Sequence, residues 1–144
     1  MRSLLTFVTI LFLEMSAVQC WAQYTMPNED FMHEGTWLQW PHNYTYGSGA
    51  EDVEASWVQM TAALSSGERV HILAYNEDEA LHITELLENA EVDLSQIDFL
   101  LCPTDDFWVR DNGPIFAQGE DGQWVVLDWG FNGWGGDAPF ALDD

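Results

Sequence analysis

VHILAYNEDEALHITELLENAEVDLSQIDFLLC, residues 70–102, is the stretch that decides the fold class. Val70 to Tyr75 is an almost unbroken apolar run of strand length, and that character predicts cover on both faces. Asn76 interrupts it three residues before Glu79, the spacing of a helix N-cap with the acid of a capping box. Ala80, Ile83 and Leu87 then recur at helical spacing and mark an inward face. Ile97 to Cys102 reads as a second buried strand.

The same reading extends outward. Towards the amino terminus, Thr36 to Trp40 alternates and stops at Pro41, a short strand, and Gly47-Ser48-Gly49 is a loop. Val53, Trp57, Met60 and Leu64 give one face of an amphipathic helix, ended by Ser65-Ser66-Gly67. Towards the carboxyl terminus, Pro114 to Gln118 and Gln123 to Asp128 flank Gly119-Glu120-Asp121-Gly122, a hairpin by composition. The order is β-α-β-α-β-β-β, an α/β or α+β chain. Asp137 to Asp144 offers no helix cap and no polar tail, so the chain is expected to be part of something longer.

Charge narrows the partners. The 144 residues hold 25 Asp or Glu against Arg2, Arg69 and Arg110, with no Lys, for a net charge of −22. Phosphate recognition needs clustered cations, so nucleic acid and anionic membranes are excluded as partners. With 47% apolar residues, eight Trp and eight Phe, the chain is not a disordered acidic tail.

Residues 1–22 read as a secretory signal peptide: Arg2, an apolar run from Leu4 to Leu13 too short to span a bilayer, and small residues before a cut after Ala22. Residues 23–144 then form the mature part, secreted or periplasmic and not membrane-bound. Cys20 leaves with the signal, so Cys102 is the one mature thiol and no internal disulfide forms. Cys102 reads as a core thiol rather than a nucleophile. Asn43-Tyr44-Thr45 fits a glycosylation sequon that matters only in a eukaryotic secretory route.

Three clusters carry candidate chemistry. Thr104-Asp105-Asp106-Phe107-Trp108-Val109-Arg110-Asp111-Asn112-Gly113-Pro114 follows a strand directly, where open α/β sheets place their sites. Its three carboxylates could hold a metal, although the spacing lacks the pattern of a calcium loop. They could instead hold a cation: a planar guanidinium is well met by a carboxylate in its plane and an aromatic wall on its face. The third reading is a structural knot in which Arg110 pairs with Asp105 or Asp106. The second cluster, Asp128-Trp129-Gly130-Phe131-Asn132-Gly133-Trp134-Gly135-Gly136, exposes flat rings between glycines and suits a sugar, a cation pocket or an aromatic corner. The third runs from Met26-Pro27 through His33-Glu34-Gly35-Thr36-Trp37 to His42, and a half-buried first strand accounts for its Trp residues. His33, His42, His71 and His82 are scattered, and His71 and His82 read as structural.

Met26-Pro27-Asn28-Glu29 with His33 to Asn43, TDDFWVRDNGPIF at 104–116 and DWGFNGWGG at 128–136 together resemble the amino-terminal part of the agmatine deiminase and bacterial (Porphyromonas-type) peptidylarginine deiminase family. The resemblance implies an α/β pentein, a propeller of five ββαβ blades, of which about the first two are represented here. It implies hydrolysis of a guanidine to a ureido group with release of ammonia, acting on agmatine in putrescine biosynthesis or on peptidyl-arginine, with no metal and no organic cofactor. Asp111 is implied to grip the substrate guanidinium, Trp108 to form part of the pocket wall, and Arg110 to lock the loop.

The nucleophilic Cys and its His are expected beyond residue 144, and Cys102, which precedes the guanidinium segment, does not replace them. These residues alone are therefore expected to bind guanidines weakly and turn over none. Two other readings stand beside this one: a secreted carbohydrate-binding module using Trp129, Phe131 and Trp134, and an acidic structural domain adapted to salt.

Overall fold

A computed structural model describes residues 23–45 and 47–143; the expected signal peptide, residues 1–22, lies outside them. The strands are β1 (Tyr24–Thr25), β2 (Gly35–Gln39), β3 (Arg69–Ala74), β4 (Ile97–Leu101), β5 (Ile115–Gly119) and β6 (Trp124–Leu127). The helices are α1 (Glu51–Ser65), α2 (Glu77–Asn89), and two single turns, α3 (Val109–Asn112) and α4 (Gly133–Gly136).

Two three-stranded sheets result. Strands β2, β3 and β4 lie parallel in that order, and α1 and α2 are their crossovers. The register pairs Leu38 with Ile72 and Ile72 with Phe99, so the apolar residues of successive strands share one face. The second sheet is antiparallel, with β5 between β1 and β6. Its β5–β6 hairpin turns at Gly122, whose φ of 78° suits glycine, in the stretch where the sequence predicts it. This is the mixed α/β arrangement that the resemblance implies. No helix among the described residues is long and apolar enough to cross a membrane.

The core sits between the parallel sheet and its two helices. Leu38, Trp40, Val70, Ile72, Ala74, Ile83 and Leu87 form one buried cluster, with Trp57, Leu64, Ala80 and Phe99 packed around it. The α2 prediction holds in detail: Asn76 is the N-cap, accepting from the Glu79 backbone N–H at 2.9 Å, and Ile83 and Leu87 are fully buried. In α1 the capping comes from the loop, where Asn43 Oδ1 accepts from the Ala50 N–H at 3.0 Å.

Two burial expectations need correction. β3 is fully buried on one face and only partly covered on the other: Val70, Ile72 and Ala74 are buried, whereas His71 and Leu73 are partly exposed. The reason is His71, which breaks the apolar run and faces a polar lattice. It stacks on Trp37 at 4.6 Å and bonds Glu34 at 2.8 Å, beside the Arg69–Asp98 ion pair. β4 is likewise half-exposed, since Leu100 and Leu101 reach solvent at the edge of the sheet. Cys102, just past that edge, is partly rather than fully buried.

Candidate active site

The site is assembled where β4 ends. Thr104, Asp105 and Asp106 are buried, and their polar groups are taken up locally. Asp105 Oδ2 accepts from the Leu142 N–H at 2.8 Å and Oδ1 from the Thr45 hydroxyl at 3.3 Å, while its own N–H donates to Asp143 Oδ1 at 2.9 Å. Asp106 Oδ1 accepts from the Phe107 N–H at 2.8 Å. A structural knot is present, but it is built on backbone amides. Arg110 takes no part: its guanidinium pairs with Glu29 at 3.2 Å, and the two side chains are 81% and 78% exposed. The pairing of Arg110 with Asp105 or Asp106 is overturned, because its exposed guanidinium is taken by Glu29 of the amino-terminal segment while the two aspartates are buried.

Phe107 sets the position of the next residues. Its ring meets Trp57 of α1 edge-on at 5.0 Å, and Trp57 is itself fixed by donating to the Gln39 carbonyl at 2.8 Å. Trp108 leans on Phe107 at 4.8 Å and leaves about half of itself exposed. The Trp108 carbonyl then accepts from the Asp111 N–H at 2.8 Å, closing α3. Gly113 ends that turn, and a Cβ there would overlap the Val109 carbonyl, so the tight exit requires glycine.

Asp111 therefore projects from a one-turn helix with its carboxylate at the surface. Oδ1 accepts from the indole N–H of Trp134 at 3.2 Å. Trp134 belongs to α4, a left-handed turn in which Gly133, Trp134, Gly135 and Gly136 all have positive φ. Asn132 fastens this turn by accepting from the Gly135 N–H at 2.9 Å. For Trp134, φ of 53° is a strained conformation for a bulky residue, of the kind retained where a side chain must be aimed.

Between these indoles lies a cavity of about 410 Å³, lined by His42, Val53, Asp106, Phe107, Trp108 and Trp134 with the Ser48–Ala50 loop. Sequence reasoning singled out Asp111 and Trp108. It grouped Trp134 with the aromatic cluster instead, because the hydrogen bond that joins them spans 23 positions. Trp129, Phe131 and Trp134 do not form a flat platform: Phe131 and Trp134 stand at 87° to each other.

His42 was not distinguished in the sequence from the other histidines, yet it is buried under this cavity. Its Nδ1 accepts from the Tyr44 N–H at 3.3 Å, which leaves the proton on Nε2, 3.2 Å from the Thr104 hydroxyl. Burial holds its imidazole below the ordinary value of 6.5, against the opposing pull of Thr104, Asp105 and Asp106. On the far side of His42, Glu54, Glu79 and His82 line a second cleft and could together hold a metal ion.

Comparison with known proteins places this geometry. The chain is 33% identical over 116 residues to the agmatine deiminase of Pseudomonas aeruginosa, and 32% identical over 114 residues to that of Stutzerimonas stutzeri. Each match takes 78% of this chain but 29% of the relative, so the chain spans about three-tenths of the length of these proteins. Among solved structures, the C. jejuni agmatine deiminase with substrate bound superposes with a TM-score of 0.63 at 27% identity, over 76% of this chain and 31% of that one. The Enterococcus faecalis agmatine deiminase gives 0.67 at 26% identity, over 84% and 33%. The family model described as Porphyromonas-type peptidyl-arginine deiminase matches residues 25–144, and the chain belongs to that family.

Proposed function

We propose that this chain supplies the guanidinium-binding part of a deiminase, and that the whole protein hydrolyses agmatine to N-carbamoylputrescine and ammonia. The observation that carries the reading is the Asp111 carboxylate, held at the surface by the Trp134 indole beside a cavity walled by Trp108. A guanidinium has in-plane N–H donors for the carboxylate and a flat face for an indole. An ionised Asp111 would keep that group protonated and its central carbon electrophilic.

A thiolate could then add to the carbon, with a histidine protonating the departing ammonia. Water would attack the resulting thiouronium carbon, releasing the thiolate and leaving the ureido product. In this reading the thiol and the acid–base histidine come from outside residues 1–144, because Cys102 lies just past the exposed sheet edge and His42 serves Thr104. Agmatine is favoured over peptidyl-arginine because the two curated relatives compared above are agmatine deiminases. The leader-like residues 1–22 support a secreted or periplasmic setting.

Isothermal titration of agmatine into the whole protein, with its nucleophilic cysteine replaced by serine so that binding is measured without turnover, tests this reading. Asp111→Asn should lower affinity by roughly a hundredfold, the scale of a charged hydrogen-bonded pair losing its anion. Unchanged affinity in that variant would refute the assignment.

A further inference from the structure

The cleft on the other side of His42 has its own chemistry. It has a volume of about 350 Å³ and lies between α1 and α2, lined by Asn43, Tyr44, Glu51, Glu54, Glu79 and His82 among others. Glu79-Ala80-Leu81-His82 is a Glu-x-x-His segment, and the three-residue spacing sets both side chains on the same face of α2. Helical bundles that bind metal use this same i, i+3 pair together with a Glu from a facing helix. Here the facing helix is α1 and the residue is Glu54.

We propose that Glu54, Glu79 and His82 form a binding site for one divalent transition-metal ion, zinc before the others, which clamps α1 to α2. One ligand atom from each residue lies within 4.8 Å of the other two. Bonds of about 2.0–2.1 Å to zinc require somewhat closer approach, which the exposed His82 can make by rotating its side chain.

Glu54 is the fixed member. It is buried, and its Oε1 accepts from the Trp40 indole at 3.0 Å and from His82 Nε2 at 2.8 Å. A carboxylate already oriented by a neighbouring N–H is the arrangement that supports a metal ligand. Metal binding would replace the Glu54–His82 hydrogen bond with two bonds to one cation, and a cleft of about 350 Å³ has room for water as the remaining ligand. An imidazole with two carboxylates favours zinc over calcium or magnesium, which prefer oxygen ligands throughout.

The site stands apart from the guanidine reading: none of its ligands lines the cavity between the indoles, and the two spaces share only His42 and Ala50. The test is titration of zinc chloride into chelator-stripped whole protein, followed calorimetrically, with cobalt(II) absorption as a second readout. The expected result is one equivalent of zinc bound with micromolar or tighter affinity. Glu79→Gln and His82→Gln should each weaken it at least about tenfold, and His82→Gln should change the cobalt spectrum. Asp111→Asn should bind zinc as the parent does. Circular dichroism of each variant confirms its fold. Absence of saturable zinc binding, or binding by both ligand variants as tight as the parent's, would overturn the proposal and leave His82 as a surface partner of Glu54.

Discussion

The indole N–H of Trp134 donates to the Asp111 carboxylate at 3.2 Å, from a left-handed turn onto a one-turn helix. Neither element is a regular structure that would hold its position alone. Together they tie the Asp111 carboxylate to one of the two indoles, Trp108 and Trp134, that wall the cavity.

Trp134→Phe is the cleanest probe of that relationship, because it removes the donor while keeping the ring. Agmatine affinity of the whole protein should fall about five- to tenfold, the net value of one hydrogen bond. The melting temperature should hardly move, since the side chain is largely at the surface. An affinity equal to that of the parent protein would mean that Trp134 does not orient Asp111.

Arg110→Gln should be silent. Among the described residues its ion pair is with Glu29, both side chains lying largely in solvent, where such pairs contribute little. Thermal unfolding and agmatine titration should both match the parent protein. A clear loss in either would restore to Arg110 the loop-locking role that the sequence resemblance implies.

His42 should make stability depend on pH. Its folded value lies below the unfolded 6.5, so under mildly acidic conditions the unfolded chain binds a proton that the folded chain refuses. Stability is then fully present above about pH 6.5 and declines as pH falls towards the folded value. Urea midpoints of the parent protein and of His42→Gln, which keeps an N–H donor for Thr104, check this. The variant should show the shallower slope over that range, and parallel curves would remove His42 as the cause.

Asn76→Ala should cost about 1 kcal/mol, because the Glu79 N–H loses the side-chain acceptor that begins α2. Urea denaturation measures it. Ile83→Ala, deeper in the same helix, should cost more, about 2–5 kcal/mol, since a fully buried side chain leaves a cavity. If the cap variant proved the costlier of the two, α2 would owe more to its start than to its packing.

The amino-acid order by itself determined the local elements. Asn76 as a cap, Ile83 and Leu87 at helical spacing, and the glycine turn at 122 are effects between residues a few positions apart, so they can be read in one dimension. The cluster at 104–114 also stands out locally, as acids and an indole after a strand end, but it was the family resemblance that singled out Asp111 and Trp108 within it. Burial was less legible. The run at 97–102 looks like core, and only its place at the edge of a three-stranded sheet exposes Leu100 and Leu101.

Tertiary structure alone decided the pairings that carry chemistry. Trp134 reaches Asp111 across 23 positions, His42 meets Thr104 across 62, and Glu54 meets His82 across 28. It also sent Arg110 to Glu29 rather than to its acidic neighbours. The physical reason is that a hydrogen bond or ion pair depends on distance and direction between side chains. Chain order sets these within a turn of helix, but over longer separations they follow from how sheets and helices pack.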